Sequence, residues 1–193
     1  MRRHILAQGD LDGACFLYSL INAYVSLTSR TPGNQSWDKK FHDRWDRAVA
    51  FVPHLSDFFR CGIGNEYSGT GRYDDDPRIF AYTAERVLDN MSTKTESGRF
   101  SAIIHQNTNA PRALDNLVQD TSIAVVCPNG EHWVACVQRD SNPYTIWTAC
   151  SWAYHSFDGY QETFHKENKV YSNGKLANNC EFPFALQILF EAA

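Results

Sequence analysis

Gln8-Gly9-Asp10-Leu11-Asp12-Gly13-Ala14-Cys15-Phe16-Leu17-Tyr18-Ser19-Leu20-Ile21-Asn22-Ala23 is the stretch on which the reading of this chain turns. Gly9 to Gly13 signals a turn, because glycine tolerates positive φ and Asp folds back on its own backbone. From Ala14 the spacing becomes helical. Cys15, Leu17, Tyr18, Leu20, Ile21, Tyr24 and Val25 are apolar on two adjoining faces, which predicts a buried helix. Its start is polar and acidic, as a helix N-terminus prefers. Cys15 falls in the first turn, where partial positive charge and unpaired N–H groups favour thiolate. Its pKa is therefore expected below the ordinary thiol value of about 8.5. The same position also suits a buried cysteine that only packs a helix start.

Around this stretch the first half of the chain reads as helical. His4 to Gln8 reads as a short extended piece. Ser36 to Val52 predicts an amphipathic helix carrying Trp37, Phe41, Trp45, Ala48, Val49 and Val52, with Ser36 as N-cap. A further turn of helix could follow Pro53, and Gly62 to Asp76 reads as a loop. Pro77 to Met91 predicts a third helix, with proline at the first turn, where its missing N–H does no harm. After that the character shifts. Phe100–His105, Ile123–Cys127, His132–Gln138, Tyr144–Ala149 and Phe182–Phe190 read as strands. Asn109 to Val118 reads as a short helix. Asn129-Gly130 suits a hairpin before the His132 strand. Ser151 to Cys180 mixes aromatics with Asn, Lys and Gly, and reads as strand pieces and loop. The expectation is α+β: one domain over 1–193, with a mainly helical lobe over 1–98 and an antiparallel sheet lobe over 99–193.

The 193 residues fit one domain with a real core. Hydrophobic residues are 43% and charged ones 21%, an ordinary globular balance, and the formal charge is −4. That balance argues against nucleic acid or an anionic membrane as the main partner, since both need a basic footprint. No apolar run reaches the roughly 18 residues that span a bilayer. Met1-Arg2-Arg3-His4 is basic, but no signal-peptide apolar region follows. The expected location is the cytoplasm where the chain is made; delivery by a signal-independent secretion system would leave no such mark. Cysteines at 15, 61, 127, 136, 150 and 180 show no CxxC spacing. They are expected as thiols rather than a disulfide framework, with Cys127, Cys136 and Cys150 as small buried hydrophobes.

Two more residues bear on Cys15. His132 opens a strand directly after a tight turn, where it can face a cleft while Trp133 covers its flank. A histidine hydrogen-bonded in a loop would fit the same position. Gln8 precedes Cys15 at a spacing that lets its amide aim at a developing oxyanion beside the Cys15 N–H. Taken together, Gln8 through Ala23 resembles the nucleophile segment of papain-like cysteine peptidases, especially the bacterial C39-like members. Glu131-His132-Trp133-Val134-Ala135 resembles the histidine strand of that family. The resemblance rests on these two motifs, about 25 residues, with their order and the lobe layout. It implies a papain-like fold, Cys15 as nucleophile, His132 as its base, Gln8 in the oxyanion hole, a protein or peptide substrate, and no cofactor.

The family also expects an Asp or Asn on the strand after the histidine strand. Here that region reads Thr148-Ala149-Cys150-Ser151-Trp152. Ser151, and less favourably Thr148, could accept a hydrogen bond from the imidazole, and Asp140 or Asp158 could reach back from turns. A Cys–His dyad works without a strong third member, because thiolate is intrinsically nucleophilic. Other clusters are weaker. Cys127, His132 and Cys136 cannot clip one zinc from an extended strand, where residues four apart lie about 13 Å from each other. Asp74-Asp75-Asp76 reads as a solvated loop before a cation site. His155 and His165 read as surface residues, and Trp147, Trp152 and Tyr154 as either core or groove wall. The expected function is a cysteine peptidase, with a role as bacterial effector or defence protease implied by the resemblance alone. Acyl transfer on the same fold and a decayed, non-catalytic binding module remain alternatives. Oligomeric state and substrate identity are open.

Overall fold

A computed structural model of the chain describes residues 5–6, 14–28, 45–52, 78–92, 98–106, 109–110, 112–115, 117, 121–126, 133–139, 145–149, 160–161, 165–169 and 184–192. Among the described residues, helices α1 (Cys15–Thr28), α2 (Arg78–Met91) and α3 (Arg112–Asp115) accompany eight strands. The strands are β1 (Ile5–Leu6), β2 (Gly98–Gln106), β3 (Ser122–Val126), β4 (Val134–Arg139), β5 (Thr145–Ala149), β6 (Tyr160–Gln161), β7 (His165–Lys169) and β8 (Phe184–Ala192). Residues 45–50 are also helical. The fold is mixed α+β, with helices packed against an antiparallel sheet.

α1 forms because its 14 residues contain neither glycine nor proline and offer apolar groups all round. Every described side chain from Ala14 to Leu27 is buried, including Ser19, Asn22 and Ser26. The acidic start anticipated for it lies outside the helix proper, since the first turn holds no acidic residue. At the other end the Thr28 hydroxyl donates to the Tyr24 carbonyl at 2.8 Å. α2 is amphipathic instead. Phe80, Thr83, Ala84, Val87, Leu88 and Met91 are buried at helical spacing, while Arg78, Tyr82, Arg86 and Asp89 face solvent.

The main sheet runs β2-β8-β3-β4-β5-β7, each neighbour antiparallel, and β1 pairs separately with β6. Strand alternation divides the sheet into two buried faces. Ile123, Val125, Ala135, Leu186, Ile188 and Phe190 join α1 and α2 in one core cluster. Ala124, Val126, Val134, Cys136 and Ala185 form a second cluster with α3 residues Ala113 and Leu114. β2 is an edge strand, and α2 covers part of that edge. Glu85 Oε1 accepts from the Ala102 N–H at 2.9 Å and Asp89 Oδ1 from the Phe100 N–H at 3.4 Å. Gly98 leaves room for the Phe190 ring. A Cβ there would lie 2.6 Å from Phe190 Cζ and 2.8 Å from the Glu191 carbonyl oxygen.

Several sequence expectations shift. β4 is described from Val134, with Trp133 outside it and residue 132 outside the described residues; Val126↔Val134 is the last rung of the β3 ladder among the described residues. β3 and β4 pair antiparallel as successive strands, as a hairpin requires, and the Asn129-Gly130 turn lies outside the described residues. The helix foreseen over 109–118 is one turn, Arg112–Asp115. The helix foreseen to Val52 ends at 50, with residue 51 in a turn. The helical and sheet halves are also not fully segregated, since β1 pairs with β6 from the second half. Residues 36–44 and the 62–76 loop lie outside the described residues.

Candidate active site

Cys15 is the first residue of α1 and is 0% exposed. The helix is held at this end by aromatic packing. The Phe16 ring lies 4.8 Å from Trp133 and 5.2 Å from Phe80, both edge-on, and Phe80 and Trp133 lie 5.2 Å apart. All three rings are wholly buried. α1 then crosses the sheet, since Tyr24 near its far end sits 5.4 Å from Phe100 of β2. Its start is therefore at the sheet edge where β3 ends and β4 begins, and its end lies toward the opposite edge.

Three of the anticipated site residues, Gln8, His132 and Ser151, lie outside the described residues, as do Asp140 and Asp158. The elements next to them in the chain are described. β1 ends two residues before Gln8, β4 begins two residues after His132, and β5 ends two residues before Ser151. All three elements pack against α1. The start of β4 and the end of β5 share one edge of the sheet, with Ala135 opposite Ala149. Thr148 stands in register with Cys136, whose side chain belongs to the α3 face. That register position is on the opposite side of the sheet from Cys15.

Cys136 is a buried thiol in the α3 cluster, as its place in an apolar strand suggested. Cys127, Cys150, His155 and Asp74–Asp76 lie outside the described residues, while Trp147 and His165 are in β5 and β7. Among the described residues, no group of three or more His, Cys, Asp or Glu could hold a metal ion. No described helix is long and apolar enough to cross a membrane.

Two features escaped the sequence reading. Phe80 joins Phe16 and Trp133 although more than 50 residues separate it from either, and its only linear signal is its place on the apolar face of α2. On the far face of the sheet, His105 Nε2 and Gln187 Oε1 are 2.9 Å apart across β2 and β8. Nothing in the local pattern of either strand announces that pair. Compared with protein-family models, curated proteins and solved structures, the chain matches none.

Proposed function

We propose that the chain is a thiol-dependent amide hydrolase of papain-like build, with Cys15 as nucleophile and His132 as its base. One observation carries the reading. Phe16 and Trp133 are in ring contact at 4.8 Å, and Cys15 is bonded to the first while His132 is bonded to the second. Successive Cα atoms are about 3.8 Å apart, so contact between their chain neighbours supports a pairing of two residues 117 positions apart in the chain. The packing of β1 and β5 on the same helix supports Gln8 and Ser151 as the other members. If the strand period of two runs on past Ala149, position 151 returns to the α1 face.

On this reading His132 and the α1 N-terminus favour Cys15 as thiolate. The thiolate attacks an amide carbonyl, and the Gln8 amide and the Cys15 N–H hold the oxyanion. The tetrahedral intermediate collapses, the C–N bond breaks, and His132 gives its proton to the leaving amine. Water then attacks the thioester, His132 takes a proton from it, and the acid is released with the thiol restored. Ser151 accepts a hydrogen bond from the far imidazole nitrogen and orients the ring. Because Cys15 is 0% exposed, the reaction runs from an opened form in which substrate reaches sulfur.

The same burial favours a second reading, a papain-like scaffold that binds a partner without catalysis, its cysteine serving as core. A peptide-library digest read by mass spectrometry separates the two. The hydrolase cleaves a subset of peptides, and both C15A and H132A abolish the products. Cleavage unchanged in C15A removes Cys15 as the nucleophile, and no product with wild type, with or without an added amine acceptor, favours the binding scaffold.

A further inference from the structure

We infer that, in the opened form in which substrate reaches Cys15, Tyr18 and Trp45 wall the substrate site and select a substrate side chain that is aromatic or large and apolar. The inference rests on the thiol-hydrolase reading above. Tyr18 follows Cys15 by three residues, so the two are neighbours on the helix surface, about 5–6 Å between Cβ atoms. A long helical side chain leans back over the turn before it, which here is the turn begun by Cys15.

At about 100° per residue, Phe16 and Tyr18 lie on opposite flanks of Cys15. The Phe16 flank is closed, since Phe16, Phe80 and Trp133 fill one another's surroundings and have no exposed surface. The Tyr18 flank is different. Its ring lies 4.8 Å from Trp45 with the planes at 38°, Tyr18 keeps 8% of its surface, and Trp45 is only half-buried. This pair therefore touches both the turn that carries the thiol and the outside of the molecule. Aromatic rings favour offset stacking, so a third ring placed against the exposed part of Trp45 extends the pair. A polar or small side chain there would gain nothing and would shield the rings less from water. The substrate class is thus a peptide or amide with an aromatic or bulky apolar group next to the reacting carbonyl.

The test compares two probes on the intact chain, N-benzyl chloroacetamide and N-methyl chloroacetamide, each rate divided by its rate with glutathione. Peptide mass spectrometry reads modification at Cys15. In wild type the corrected benzyl-to-methyl ratio is expected at about threefold to tenfold, the worth of one aromatic contact. It falls to near unity in W45A and is retained in W45F, which keeps a ring. A wild-type ratio near unity, or a ratio that survives in W45A, overturns the inference while Cys15 stands as a reactive thiol. No modification of folded wild type by either probe removes the hydrolase reading and this inference with it.

Discussion

Replacing Phe16 with leucine tests the packing that brings the site together. The ring makes two edge-on contacts, 4.8 Å to Trp133 and 5.2 Å to Phe80, and is 0% exposed. Each aromatic pair contributes about 0.5–1.5 kcal/mol beyond its buried area. Leucine restores most of the apolar volume, so the cavity term is small and the lost ring contacts dominate. The expected destabilisation is about 1–3 kcal/mol, read from urea unfolding followed by tryptophan fluorescence, with the slope of the transition unchanged. A domain of this size has enough stability to remain folded in buffer after that loss. Under those conditions the chemistry should suffer more than the fold, since a misplacement of about 1 Å can cost on the order of 100-fold in rate. Alkylation of Cys15 in F16L should therefore lose its dependence on His132. A loss of stability below about 0.5 kcal/mol would refute the claim that this cluster anchors α1 to the start of β4.

Other outcomes follow from the fold. G98A places a Cβ against the Phe190 ring and the Glu191 carbonyl, so overpacking should cost about 1–3 kcal/mol in thermal or urea unfolding; a neutral result would show that Phe190 has room to move. Thr83 Oγ1 is buried with no hydrogen-bond partner among the described residues, so T83V should be neutral or more stable by about 1 kcal/mol. A drop of more than about 1 kcal/mol in T83V would mean the hydroxyl has a partner after all. E85A removes the acceptor for the Ala102 N–H on edge strand β2 and should cost about 1–2 kcal/mol, with faster amide exchange at Ala102 by NMR. Unchanged exchange there would mean that α2 does not cover that edge.

How far the sequence spoke depends on whether a signal is local. α1 was legible because its apolar residues fall on two adjoining helical faces, the pattern of a buried helix, and α2 because its apolar residues recur at helical spacing on one face. β3 was legible as a short β-branched run, and β8 as a longer apolar one. The order of the sheet was not. β8 inserts between β2 and β3, so Ile188 pairs with both Ala102 and Ile123, and no local pattern encodes such distant partners. The start of β4 was misread because Trp133 looks like a strand residue, yet it lies before the ladder and packs on Phe16 and Phe80. The site shows the same division. Cys15 and His132 stand out as motifs, whereas the contact linking their neighbours is a tertiary fact, and so is the complete burial of the thiol.

The most direct test of Cys15 as an activated nucleophile is its alkylation rate in the folded chain. Wild type and H132A are treated with limiting iodoacetamide, and each of the six cysteines is followed by peptide mass spectrometry. The account predicts that Cys15 is modified before Cys136, a buried thiol on the other face, and at least about tenfold faster in wild type than in H132A. Cys15 reacting no faster than Cys136, or at the same rate in both proteins, would contradict it.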